Sequence, residues 1–236
     1  MKTTFWVGLI FLVLILILEK ETDWDLQFQN LFFDFNKKQW IIYPELHQSL
    51  SFFLYKGMKV LVIGTGLFSL IGYGFSFIYR SWTKYRQSFL MLLLSLTIVP
   101  LGISSLKQVT NVYCPVQLSQ YDGSYPFTPI LGSYPEDFNP PKRGKCFPAG
   151  HATTGFAFMA LYFVFEQKKK KYIGLSIGIV LGITAGAYQM LRGQHFLSHT
   201  LFTAVLSWVI LTLIYALLIR LKETKYGNII SPRSLS

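Results

Sequence analysis

The chain has 236 residues, of which 52% are hydrophobic and 14% charged, with a net charge of +11. A soluble domain of this size carries about 25% charged residues. The composition therefore excludes an ordinary soluble fold and points to a membrane protein.

The apolar residues fall into six runs: Phe5–Leu18, Val60–Tyr79, Ser88–Leu106, Ala149–Phe165, Tyr172–Leu191 and Thr200–Ile219. A bilayer core needs about 20 apolar residues per helical span. The first run is short enough for a signal peptide. Glu19-Lys20-Glu21 follows it instead of a small-x-small cleavage site, so it reads as an uncleaved anchor. The expected fold is all-α: a six-transmembrane-helix bundle forming one membrane domain over residues 1–236.

Charge bias orients the spans. With the N-terminus inside, the inside segments hold twelve cations, among them Lys2, Arg80, Lys168–Lys171 and Arg233, against two acids. The outside segments hold ten cations and nine acids. Most of the positive charge is thus explained by topology, and no nucleic-acid partner is expected. The inside cations suit anionic lipid heads.

Two outside segments follow from this arrangement. Residues 19–59 contain "DWDLQFQNLFFDF" and "WIIYPELHQSLSFFLYKGMK", which alternate aromatic and polar residues as interfacial helices do. A lid packed on the bundle is the plainer reading of the same segments and the preferred one. Residues 107–150 carry "YDGSYPFTPILGSYPEDFNPPKRGKC", whose prolines and glycines mark turns. A loop of this length is often functional. It holds both cysteines, Cys114 and Cys146. An oxidising compartment would allow them to bond, closing a loop worth about 3–4 kcal/mol in the chain-entropy model. Two unpaired small apolar side chains are the alternative.

His151 lies at the outer mouth of the fourth run, after Pro148-Ala149-Gly150. A helix start there would present free N–H groups to an anion. A third outer loop, "QMLRGQHFLSHTLFT", places His195 and His199 four residues apart, on one helical face, beside Arg192. Lys107 ends the third run on the same side. Ionisable groups at a membrane boundary are costly unless they pair or function. His47 has no such company and reads as an ordinary interfacial side chain. Cations, amides and imidazoles together suit phosphoryl transfer, in which a histidine attacks phosphorus and a second protonates the leaving oxygen.

These residues carry a resemblance. Lys107 is followed after six residues by Cys114-Pro115, then come Pro148-Ala149-Gly150-His151 and finally "YQMLRGQHFLSH". In that order they resemble the type 2 phosphatidic acid phosphatase superfamily, whose motifs read K-x6-R-P, P-S-G-H and S-R-x5-H-x3-D. The resemblance covers about residues 107–208. It implies that His195 is the nucleophile, His151 the general acid and His199 the orienting group. Lys107, with the backbone of Ala149 and Gly150, would hold phosphate oxygens. Both family arginines are absent, since Cys114 and Gln189 stand at their positions. Arg192, Arg143 or Lys145 would supply the charge instead.

The subgroup resembled is that of bacterial lipid A phosphatases and phosphotransferases. It implies a periplasm-facing site in the bacterial inner membrane, with both termini cytoplasmic. The substrate would be lipid A, undecaprenyl pyrophosphate or a glycerophospholipid such as phosphatidic acid. A phosphotransferase using undecaprenyl pyrophosphate as donor and a degenerate lipid-phosphate binder stand as alternatives. No metal or other cofactor is expected. The competing metal reading would join the histidines to Asp122, Glu136 or Asp137 around zinc.

Overall fold

The structure is a computed structural model that describes residues 2–138, 140 and 142–230. Of the expected inside cations, Arg233 and the side chains of Lys2 and Lys225 lie outside the described residues. Among the described residues, five helical stretches are long and apolar enough to cross a membrane: Thr3–Glu21, Leu54–Ile78, Arg80–Val109, Lys168–Met190 and Leu197–Glu223. Their main bodies are α1 (Lys2–Glu21), α4 (Met58–Ile78, preceded by a π-helix at Phe52–Gly57), α5 (Arg86–Val109, preceded by a 3-10 turn at Arg80–Tyr85), α8 (Lys168–Met190) and α9 (Leu197–Ile230). Large apolar side chains such as Ile10, Ile63, Leu101, Val180 and Leu217 face outward. In lipid this is the favourable direction, because helices satisfy their own backbone and the solvent is apolar. The chain is a polytopic all-α membrane protein.

The fourth expected span takes a different form. Residues 150–164 are a run of short turns: a 3-10 turn at Gly150–Ala152, α6 (Thr153–Phe156), a 3-10 turn at Ala157–Ala160 and α7 (Leu161–Val164). A 3-10 turn rises ~2.0 Å per residue against ~1.5 Å in an α-helix, so this mixed run extends further than its length suggests. It lies inside the bundle, with Ala152, Phe156, Ala157, Phe158, Met159 and Ala160 buried. They pack with Met91, Leu92, Leu96 and Val99 of α5 and Leu211 of α9.

Small residues let this run touch α8. A Cβ on Gly155 would stand 2.2 Å from the Gly182 backbone nitrogen, and one on Gly178 would stand 2.2 Å from that of Met159. Without a hydrophobic drive between helices in lipid, such close backbone approach is a main source of helix association.

The first outer segment is a lid. Trp24–Asn30 (α2) and Pro44–Ser51 (α3) are α-helical in it, and a π-helix at Phe52–Gly57 leads from α3 into α4. Between α2 and α3, β1 (Phe33–Asp34) and β2 (Gln39–Trp40) pair antiparallel, with Phe33 opposite Trp40. The Asp34 side chain accepts the Asn36 and Lys37 N–H groups at 3.0 and 3.1 Å, which closes the turn. The expected interfacial helix "DWDLQFQNLFFDF" thus ends early. Phe33, which would have continued it, instead joins Tyr113, Leu118, Tyr121 and Phe196 in an aromatic cluster above the bundle.

A Gly178→Leu or Gly155→Val substitution should lower the thermal unfolding midpoint of the detergent-solubilised protein by several degrees, since overpacking costs about 1–3 kcal/mol or more. Gly66→Ala, where nothing lies within 4 Å of the added carbon, should leave it unchanged.

Candidate active site

The C-terminal ends of α5 and α8, the entry to the broken run and the start of α9 meet at one end of the bundle. There a cavity of about 220 Å³ is lined by Lys107 from α5, Gly150, His151 and Thr154 from the broken run, and Gln189 from α8. Tyr55 and Lys59 line it as well. A Cβ added to Gly150 would lie 3.8 Å from the Lys107 ammonium. Gly150 and the Lys107 ammonium are thus close neighbours on the cavity wall.

His195 sits behind His151. Their ring centres are 6.4 Å apart, and those of His195 and His199 are 5.8 Å apart. His195 and His199 are both buried, while His151 is partly exposed at the cavity wall. The Cys146 peptide lies beside both His195 and His199, and Cys146 Sγ is 3.5 Å from His195 Nδ1. Burial pushes the His195 imidazole well below its ordinary pKa, and the neighbouring His199, Lys107 and His151 push the same way. A neutral imidazole keeps the lone pair that a nucleophile needs. The Nδ1 atoms of His151 and His199 have no hydrogen-bond partner among the described residues.

Other expected site residues are placed differently. Ala149 is fully buried, and its N–H donates to Thr203 Oγ1 at 3.0 Å, with the His199 carbonyl 3.4 Å away. It has no donor left for a phosphate, because the start of the run is fastened to α9 through that amide. Arg143 donates to the Val109 carbonyl at 3.0 Å, and Lys145 to Gln108 Oε1 at 2.8 Å. Both line a separate cavity above the end of α5. Arg192 does reach the histidine site: its Nη1 donates to Gln189 Oε1 at 3.2 Å, and its charge acts on His151. Its guanidinium thus touches the side chain of Gln189, which stands where the family pattern has an arginine.

Three features were not read from the sequence. His47 has company after all: its Nδ1 hydrogen-bonds the Tyr188 hydroxyl, and Arg192 lies above the Tyr188 ring at 5.5 Å. The lid grips the loop before His195. Gln29 Nε2 donates to the Met190 carbonyl at 2.8 Å, and the Ile42 N–H to the Leu191 carbonyl at 3.1 Å. Gly193 adopts φ +66°, and a Cβ there would meet the Trp40 ring at 2.4 Å. Finally, buried Asp25 accepts the Ser198 N–H at 2.9 Å and also the Ser198 hydroxyl. It caps the start of α9 from 173 residues away, where the helix dipole favours a negative charge. The aromatic-polar alternation around Asp25 hid it, since it carried no cue that this carboxylate turns inward.

The sulfurs of Cys114 and Cys146 are bonded, with the Cα atoms 5.1 Å apart. The bond joins the chain just after Lys107 to the chain just before His151. It also bears on the metal reading. Cys146, His195 and His199 bring donor atoms within 4.8 Å of one another. However, a disulfide sulfur is not a thiolate and is a poor metal ligand. Asp122 lies elsewhere, paired with Lys38 at 2.7 Å on the surface.

A helical membrane bundle with imidazoles, a lysine and an arginine gathered around a cavity at one end defines a class: polytopic membrane proteins with a basic, histidine-rich site. The chain belongs to the PAP2 superfamily, whose profile matches residues 88–223. A lipid A 4'-phosphatase of Francisella tularensis subsp. novicida (strain U112) is 28% identical over 111 residues, 46% of this chain and 47% of that protein. The chain thus spans about half the length of the curated relative it matches. No solved structure matches.

Burial pushes the Asp25 carboxyl up to about 6. The folded chain therefore holds this proton more tightly than the unfolded chain does, where the ordinary value is about 4. The resulting stabilisation is complete below pH ~4 and is lost as the pH rises through 6. The thermal midpoint of the wild type should accordingly fall relative to that of Asp25→Asn between pH 4 and 7. A constant gap between the two would count against the assignment. Asp25→Ala, which removes the cap altogether, should destabilise by about 0.5–2 kcal/mol.

Proposed function

We propose that the protein is an integral-membrane phosphatase acting on a lipid phosphate at the outer face of the bacterial inner membrane. The observation that carries this reading is the cavity wall. His151 and Lys107 line it together, and the neutral His195 stands directly behind His151. Superfamily membership and the lipid A 4'-phosphatase relative support the same class of reaction. That relative also favours lipid A as substrate and, with the charge bias, a site facing the periplasm and cytoplasmic termini.

The reaction proceeds in two steps. An imidazole nitrogen of His195 attacks phosphorus while the bond to the leaving oxygen breaks, and His151 gives that oxygen its proton. The incoming phosphate dianion favours a protonated His151, as an opposite charge close by does. Water then attacks the phosphohistidine. It gives a proton to His151, breaks the nitrogen–phosphorus bond and releases inorganic phosphate. Lys107 and Arg192 offset the charge that builds on the phosphoryl oxygens. The Cys146 peptide and His199 keep the His195 ring from turning. One domain carries all of these parts.

His195→Ala should abolish phosphate release from a lipid phosphate in mixed micelles, because no attacking nitrogen is left. His151→Ala should slow formation of the phosphoenzyme, most for alcohols that leave poorly. Rates near wild type in either variant would refute the role given to that residue. Full activity in the presence of a chelator is expected, and its loss would favour the zinc reading.

Arg192→Gln should raise KM at least about tenfold, as loss of a charge-assisted hydrogen bond does. Arg143→Gln should not alter turnover of a lipid that bears a single phosphate. The reverse pattern would move the phosphate to the other cavity.

A further inference from the structure

A second cavity, of about 770 Å³, lies in the outer loop. Lys142, Arg143 and Lys145 line it with Gln117 and Gln194, and among the described residues no carboxylate does. The salt bridges among the described residues, Lys37–Asp34 and Lys38–Asp122, involve none of its three cations. Like charges so placed repel one another, so an arrangement with no acid between them favours an anionic ligand.

The site is held in place. Tyr113 donates its hydroxyl proton to the Lys142 carbonyl at 2.5 Å, the Gly144 N–H donates to Asn111 Oδ1 at 2.8 Å, and the Cys146 N–H to the Val112 carbonyl at 2.8 Å. A Cβ on Gly144 would come within 2.4 Å of the Val112 carbonyl carbon, so only glycine lets the two segments lie this close. The Cys114–Cys146 bond completes the fastening. Gln117 accepts the Cys114 N–H at 2.9 Å with its oxygen, which leaves its amide NH2 as a donor toward the cavity. Arg143 and Lys145 use one donor each on the end of α5 and keep the rest.

The two cavities share no lining residue but are joined through the chain. Gln194 precedes His195, and Gln108 and Val109, which bind Lys145 and Arg143, follow Lys107. An anionic group held in one would hence be fixed relative to the other.

We infer that this cavity is a second anion site, which takes a further acidic group, phosphate or carboxylate, of the same lipid headgroup that presents its phosphate to His151 and His195. The inference rests on the phosphatase reading for the first phosphate. The substrate would then be a lipid with at least two acidic groups on its headgroup. The second site would read the distance between them, which a single phosphate pocket cannot do.

The test separates the two readings. The full chain, in detergent and with its disulfide intact, is titrated with mixed micelles of a bisphosphorylated or a monophosphorylated glycolipid. His195→Ala is used, so that binding is read without turnover. The bisphosphorylated lipid should bind at least about tenfold more tightly, as charge-assisted hydrogen bonds imply. Combined Lys142→Gln, Arg143→Gln and Lys145→Gln should erase that preference and leave the monophosphorylated lipid unaffected. A preference that survives the three substitutions overturns the inference, and so does an equal loss for both lipids. Inorganic phosphate forms a further arm. If it occupies these three cations as well as the lipid does, and abolishes no preference between lipids, the site serves a free anion and the inference fails. In the active chain, the same three substitutions should raise KM for the bisphosphorylated lipid alone and leave kcat unchanged. If no lipid is turned over, the phosphatase reading fails while the binding result still stands.

Discussion

The contact between the broken run and α8 governs the placement of the site. Gly155 meets Gly182, and Gly178 meets Met159, with backbones too close for any side chain between them. Lipid offers no hydrophobic force to push these elements together, so van der Waals contact between small residues has to do so. Because the run is held there, His151 arrives at the mouth of the bundle just where α8 ends. The chain beyond α8 then needs only the residues Leu191–Phe196 to bring His195 behind His151.

That short loop would be poorly defined by itself. It is fastened from above by a lid that makes no direct contribution to the chemistry. Gln29, Ile42 and Trp40 hold Met190, Leu191 and Gly193, and Asp25 caps the helix that follows. The disulfide fastens the other side, between Lys107 and His151. Imidazoles used for phosphoryl transfer have to be held within fractions of an ångström of their working positions. The lid and the disulfide serve that rigidity, and the residues facing the phosphate remain few.

Burial and charge act in opposite directions here, and the balance is useful. Water exclusion favours the neutral form of His195, the form that the proposed mechanism needs. The cations Lys107 and Arg192 make the same space attractive to a phosphate. A carboxylate in place of His199 would add negative charge beside the incoming dianion. Under the proposed mechanism, the Cys146 peptide beside both rings takes part of the orienting role that the family motif gives to a carboxylate.

The amino-acid sequence by itself determined the membrane class, the apolar runs and the residues around which the site is built. Those properties depend on composition, spacing and local motif, which are one-dimensional. His151, His195, His199 and Lys107 were visible because ionisable groups stand out at the ends of apolar runs. The tertiary structure alone decided the rest. It broke the fourth run into short turns, spent the Ala149 amide on Thr203, drew Arg192 back onto Gln189 and removed Arg143 and Lys145 to another cavity. It also brought His47 and Asp25 from the lid to the site. Each of these outcomes turns on which partner a polar group finds across the fold, and for Asp25 that partner lies 173 residues away. No periodicity within the chain encodes such a meeting, because the energy that selects it comes from burial shared among distant segments.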